Sequence, residues 1–432
     1  MRKLLVIQVA GLGYDLLAGA GRTAIGALQF APLETVFPAV TCTVQASFRT
    51  ATLPVSHGMV ANGFLERSQR RAFFWEQSAH LVAGERIWQL FRREGGRVAL
   101  LFWQQSLGES ADIVLSPAPI HKHAGGIVED CYSKPAGLYA DLCRKVGRKF
   151  RLLDYWGPLA SAKSSAWIAE ATAALLADSR RAPDLCLTYL PALDYDLQRH
   201  GPAHPRSLTA LATAVQQIAT LTEAAAKAGY EVLVFGDYAI GPCANGAILP
   251  NRVLREAGLF SIRPVERMAY PDLCSTPAFA VVDHEIAHVY VHDSAAMRDV
   301  VALFAGRVGV ERVLELAEIG DIGLGHERAG DGVLVAAPGY WFAYPWWTEA
   351  YEAPDYASHV DIHNKPGYDP CELFFGWPPM TVSRDPARVR GSHGRTGPER
   401  RACWAATCPL GGAHRGLLDL AGGVRDWLEE RL

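Results

Sequence analysis

The strongest constraint on this fold is a rhythm of short, apolar runs that end in glycine or a carboxylate, separated by stretches with helical spacing. Residues 4–9 form such a run, stopped by Ala10-Gly11-Leu12-Gly13. Residues 98–103 follow the Gly95-Gly96 pair, 185–190 end at Pro191-Ala192-Leu193-Asp194, and 231–235 end at Gly236-Asp237-Tyr238. A strand that is apolar on both faces must be covered on both faces, as crossover helices do for parallel strands. Predicted helices cover 41–50, 84–93, a span from the Ser164-Ser165 cap through Leu176, and 207–227 closed by Gly229. The alternation predicts an α/β fold with a doubly wound, mostly parallel central sheet flanked by helices. Ligand sites in such folds lie at the carboxyl ends of the strands.

Residues 250–349 change character. Residues 279–292 alternate apolar and polar, which predicts antiparallel strands, and 294–316 read as helical with an interruption near Gly306 and Gly309. The expectation is an inserted mixed α/β cap, with 1–249 and 350–432 as the core. Residues 60–83 show no clear period, 104–150 are less regular, and the Arg-rich 388–401 are the most loop-like.

The net charge of −3 gives no broad attraction to a nucleic-acid polymer. Nine cysteines, odd in number and without a CxxC pair, fit reduced thiols and a cytoplasmic protein. Residues 1–7 have the look of a signal peptide, but Gln8 breaks the apolar run and Asp15 follows, so a buried first strand fits better. No apolar run reaches 18 residues, so no membrane span is expected.

Thr41 is the hydroxyl presented after the first strand; its ordinary role would be a helix cap, and Thr43 is its nearest rival. Asp194 and Asp237 sit at strand ends, and His363 and His393 are the late imidazoles that could complete a metal site. The glycines after the first strand do not make a dinucleotide fingerprint, because Leu16 stands at the third glycine position. His284, His288 and His292 share a face if their segment is a strand, but they do not form an HExxH helix.

Read in order, Pro38-Ala39-Val40-Thr41, Leu53-Pro54-Val55-Ser56-His57-Gly58, Asp194 through Gly201-Pro202, Gly236-Asp237-Tyr238-Ala239 and Gly367-Tyr368-Asp369 resemble the words of the alkaline phosphatase superfamily. The nearest branch is the type I phosphodiesterase/nucleotide pyrophosphatases. The resemblance implies an alkaline phosphatase-like fold and a metal-dependent phosphoric ester hydrolase, with Thr41 as nucleophile and a phosphothreonine intermediate. It implies divalent metal, zinc, in one or two ions held by Asp194, Asp237 and His363 or His393, and a small phosphorylated substrate. The chain departs from the pattern at Ala10, where an aspartate is expected, at Gln198 and Tyr238, where histidines are expected, and at Pro366, where the late histidine falls in strict register. These losses bear hardest on the second ion. His200 and Asp361 are possible replacement ligands. Gln45 is the nearest amide to stand for the family's phosphate-binding asparagine, and Arg49 and Arg395 are candidate phosphate partners. The alternative is a degenerate member that binds a phosphorylated metabolite or a protein partner without turnover.

Overall fold

The computed structural model describes residues 2–123, 125–410 and 415–430. Its main elements in chain order are β1 (Lys3–Val9), β2 (Ala31–Leu33), α1 (Thr41–Thr50), β3 (Gly63–Glu66), β4 (Arg71–Phe74), β5 (Val98–Leu101), β6 (Ile113–Pro117), β7 (Cys131–Lys134), α2 (Leu138–Val146) and α3 (Ala162–Leu176). They continue with β8 (Leu185–Leu190), α4 (Ala192–His200), α5 (Pro205–Lys227), β9 (Tyr230–Gly236), β10 (Ala278–Asp283), β11 (Ile286–Val291), α6 (Met297–Phe304), β12 (Val310–Leu314), β13 (Gly332–Ala336), β14 (Ala402–Ala406) and α7 (Leu417–Glu429).

The large sheet has the order β7-β6-β5-β8-β1-β9-β14-β2. From β6 to β9 every pairing is parallel, and the edge strands β7, β14 and β2 are antiparallel. The expected mostly parallel sheet is therefore present, with β1 at its centre. Period-two alternation splits β1 between two cores. Leu5, Ile7 and Val9 join α3 and α5 on one face, while Leu4 and Val6 join α1 and α7 on the other. Gln8 is the polar break in this strand, and it is fully buried.

The strand ends converge tightly. A Cβ on Gly236 would lie 2.1 Å from the carbonyl oxygen of Leu12, a backbone atom that cannot swing away. Gly236→Ala is therefore expected to lower stability by roughly 1–3 kcal/mol or more, read from the urea midpoint.

Local departures from the expected elements have physical causes. The helix expected over 84–93 is confined to Gln89–Arg93, because the Ile87 N–H donates to the Arg49 carbonyl instead of continuing a helical ladder. The third helix begins at Ala162, ahead of the Ser164-Ser165 pair, and the Ser165 hydroxyl instead receives the Ala192 N–H at 3.0 Å. Within 104–150 the chain forms β6, β7 and α2, the helix being flanked by Gly137 and Gly147, both at positive φ. In 294–316 the helix stops at Phe304, and Val310–Leu314 is a strand. A bulge between Val310 and Arg312 shifts its phase, so Val310, Val313 and Leu314 mimic helical spacing.

The antiparallel strands expected at 279–292 are β10 and β11 of a second sheet, ordered β10-β11-β13-β12. Their hairpin closes with Asp283 opposite Ile286, so His284 and Glu285 form the turn. His284 has φ +62°, where such turns usually carry glycine. A non-glycine residue held there costs about 1–3 kcal/mol of backbone strain, a device common at functional sites. Asp283, His284 and Glu285 are nevertheless all buried. Glu285 anchors the tip: its N–H donates to the His393 carbonyl at 2.8 Å, and its carboxylate pairs with Arg400 at 2.7 Å.

Candidate active site

Thr41 opens α1 after Val40, whose extended backbone starts the helix. Every residue of α1 is buried, and Phe48 stacks on Phe235 of β9 with centroids 4.6 Å apart, which fixes the helix against the sheet. The second sequence word supports this helix rather than the reaction. His57 Nδ1 accepts the Met59 N–H at 3.1 Å, so its Nε2–H donates to Ser47 of α1 at 2.8 Å. Burial pushes the His57 imidazole down to about 3, keeping it neutral. His57→Ala would leave both partners unpaired, with an expected loss of roughly 2–4 kcal/mol in urea unfolding.

Two phenols flank the Thr41 hydroxyl: Tyr189 at the end of β8, 3.5 Å away, and Tyr238 just beyond β9, 3.4 Å away. Tyr238 in turn donates to Asp194 Oδ1 at 3.1 Å. The other Asp194 oxygen accepts from the Gln198 amide one helical turn on, and Gln198 Oε1 accepts from Tyr368 at 2.9 Å. Burial pushes the Asp194 carboxyl up to about 7, against the lowering effect of its bonds to Gln198 and Tyr238. Asp237 is held by three N–H donors: Gly11 and Tyr238 backbone at 3.0 Å on one oxygen, and the Gln8 amide at 3.1 Å on the other. Burial, with the nearby Asp194, holds its carboxyl well above the usual range.

His393 stacks face to face on Tyr238, with ring centroids 3.4 Å apart and planes 5° from parallel. Its Nδ1 lies 2.8 Å from the Ala39 carbonyl and so carries the proton, leaving Nε2 as a bare acceptor 3.9 Å from Asp194 Oδ1. His284 lies against the other side, 3.7 Å from His393 and 3.6 Å from Tyr368, completing a column of four rings. Burial holds both imidazoles well below their ordinary value, so both are neutral. His284 Nδ1 is fixed by Asp283 at 2.6 Å. Asp283 also receives both N–H groups of Asn62, and Asn62 Oδ1 receives the N–H of Cys42, next to Thr41.

The structure thus brings Thr41, Asp194, Gln198, Tyr238 and His393 together, with Asp237 beside them. It does not bring in the other candidates. His363 is tied to the Phe74 carbonyl at 3.0 Å, because its segment turns toward β4. His200, at the outer end of α4, stacks on His204. Asp361 is bonded to Asn364, and the Gln45 side chain accepts the Gln104 N–H from the second turn of α1. Asn62 is the amide bonded beside Thr41, at the Cys42 N–H, whereas Gln45 faces Gln104. Arg49 is committed to Glu109 and to the carbonyls of Gln104 and Gln105, and Arg395 to Glu311. His288 is bonded to Val60 and Gly330, away from the His284–His393 contact, so His284, His288 and His292 are not one cluster. Sequence reasoning missed Tyr189, Asn62 and Asp283, and grouped His284 with His288 and His292 rather than with His393. One signal was available: Asp283-His284-Glu285 is an ionisable triplet between two apolar strands.

The residues present do not fit the family's metal pair. Ala10 offers a methyl group where a carboxylate is needed. The Gln198 amide directs N–H, not a lone pair, at Asp194, and the Tyr238 ring stands against His393. Both aspartates already receive protein donors on each oxygen. Among the described residues, no group of three His, Cys, Asp or Glu side chains is arranged to hold an ion.

Two clefts, of about 380 and about 230 Å³, lie away from Thr41: one is lined by Arg2, Glu231 and Trp427, the other by α4 and α5. The buried carboxyl, phenols and helix start at Thr41 have the features of a reaction centre, and these clefts do not. No helix among the described residues is long and apolar enough to cross a membrane.

Comparisons with known proteins agree with this architecture. Phosphonoacetate hydrolase from Sinorhizobium meliloti 1021, solved with phosphonoformate, superposes with a TM-score of 0.64 at 17% identity, covering 98% of this chain and 95% of that one. Murine ectonucleotide pyrophosphatase/phosphodiesterase 5 gives 0.62 at 14%, covering 99% and 95%. The human counterpart gives 0.60 at 13%, with the same coverage. At such identities these likenesses show the fold, which is alkaline phosphatase-like. No curated protein sequence matches the chain. A sequence model of type I phosphodiesterase / nucleotide pyrophosphatase matches residues 4–369, which supports a phosphoric ester hydrolase and an enzyme. The chain therefore belongs to the type I phosphodiesterase / nucleotide pyrophosphatase family.

Proposed function

We propose that this protein hydrolyses a small phosphate ester through Thr41, which attacks phosphorus in line and carries the phosphoryl group until water removes it. The observation that carries this reading is the buried Thr41 hydroxyl at the start of α1, beside a phenol that is itself bonded to a carboxyl. A threonine hydroxyl is a weak nucleophile until an adjacent base takes its proton. Asp194, pushed up to about 7, is close to the pKa best suited to a base at neutral pH. The first-turn N–H groups of α1 that no helical carbonyl receives, apart from that of Cys42, which is bonded to Asn62, are suited to the phosphoryl oxygens.

Substrate class is suggested by the relatives. One was solved with phosphonoformate, and the murine protein was solved with AMP in an inactive form that carries a threonine-to-alanine change. We take residues 250–349 as the cap that selects the leaving group, and a cytoplasmic site of action fits nine cysteines that are all free. Zinc dependence, as implied by resemblance, is not part of this reading because the donor set does not fit the pair.

A second reading, binding of a phosphorylated metabolite without turnover, is favoured by the saturated carboxylates. Hydrolysis of bis(p-nitrophenyl) phosphate and of p-nitrophenyl phosphate, each compared with Thr41→Ala, separates the two. Thr41-dependent release supports the hydrolase. Equal background rates, with AMP still bound by calorimetry, would leave the binding role.

A further inference from the structure

We infer that Thr41 is activated by a proton relay through Tyr238 to Asp194, which takes over the task of the family's metal pair. This rests on the reading of Thr41 as nucleophile. Three independent features of the site carry it. First, the positions that would ligate a second ion are occupied by a methyl group, Ala10, and by the Tyr238 phenol, which leaves Asp237 fully engaged with Gly11, Tyr238 and Gln8. Second, the hydrogen-bond polarity runs one way. Tyr238 O–H donates to Asp194, so its oxygen is open to accept the Thr41 proton across the 3.4 Å contact. Catalytic contacts of that length commonly tighten when substrate is bound. Third, the ring column of Tyr238, His393, His284 and Tyr368 fixes the phenol. A ring clamped 3.4 Å from its neighbour can shuttle a proton without changing position.

The step balances. The Thr41 proton passes to Tyr238 as the Tyr238 proton passes to Asp194 Oδ1. The Thr41 Oγ1–P bond forms, the P–O ester bond breaks, and the departing oxygen takes a proton from solvent. In the second half, water adds to phosphorus and gives one proton to solvent, while the proton on Asp194 returns through Tyr238 to Thr41. No ion, oxidant or reductant is required.

The test is metal content together with chelation. Wild-type protein, purified without added metal, is analysed by inductively coupled plasma mass spectrometry. Its Thr41-dependent hydrolysis and melting temperature are then measured before and after EDTA. The relay predicts well under one ion per chain, and neither rate nor melting temperature changed by EDTA or by added zinc. The variant Ala10→Asp/Gln198→His/Tyr238→His should acquire stoichiometric zinc and melt higher in its presence. Stoichiometric metal in the wild type, with activity lost to EDTA and restored by zinc, would overturn the relay while leaving Thr41 as nucleophile. Metal-poor protein no faster than Thr41→Ala would overturn both. The wild-type measurement does not depend on the triple variant folding.

Discussion

Thr41→Ala is expected to abolish hydrolysis of phosphate esters while leaving the fold intact. The loss should be about 10³-fold or more in kcat, as for removal of a covalent nucleophile. The side chain contributes only a hydroxyl and one methyl group to the site, and its contacts with Tyr189 and Tyr238 are long, at 3.5 and 3.4 Å. Urea unfolding should therefore shift by at most about 1 kcal/mol. AMP affinity should fall far less than the rate, since on this reading binding is shared with the first-turn N–H groups of α1.

Tyr238→Phe carries the second large effect. It keeps the ring and its stack on His393 but deletes the oxygen that joins Thr41 to Asp194. Loss of a positioned proton acceptor is expected to lower kcat by about 10²–10⁴-fold. The pH profile adds a readout that a packing role would not move. Asp194 must be ionised to accept the proton, and burial places its carboxyl at about 7 rather than at its ordinary value of 3.8. Wild-type kcat should therefore rise as pH increases through about 7 and level off above it. An exposed carboxylate base would already be ionised by pH 5 and give no such rise. In Tyr238→Phe the residual rate should lose that inflection.

The central sheet was legible because β1, β8 and β9 are apolar on both faces and end in polar turns. That pattern has few solutions other than a buried parallel strand. The two aspartates were legible for the same reason, since they follow directly from β8 and β9; the start of α1, some thirty residues after β1, was legible only from its Pro38–Thr41 word. Asn62 and His284 were not. Each reaches the site only through tertiary packing: Asn62 is bonded to Cys42 and held there by Asp283, and His284 comes beside it from the same hairpin tip of a different sheet. The late histidine was ambiguous because His363 lies just upstream of the Gly367-Tyr368-Asp369 word while His393 sits in a separate Gly391-Ser392-His393-Gly394 word. The choice falls to His393 through a backbone contact with Ala39, in the loop before Thr41. Gln8 read as a break in an apolar strand, yet it is the side chain that holds Asp237.

The most direct measurement is the identity of the phosphorylated residue. Wild-type protein is mixed with a phosphate monoester, quenched in acid within its first turnovers, digested and mapped by mass spectrometry. The account predicts phosphate on Thr41, absent from the Thr41→Ala protein. Turnover with no phosphorylated intermediate trapped at any pH, or with phosphate on another residue, would contradict it.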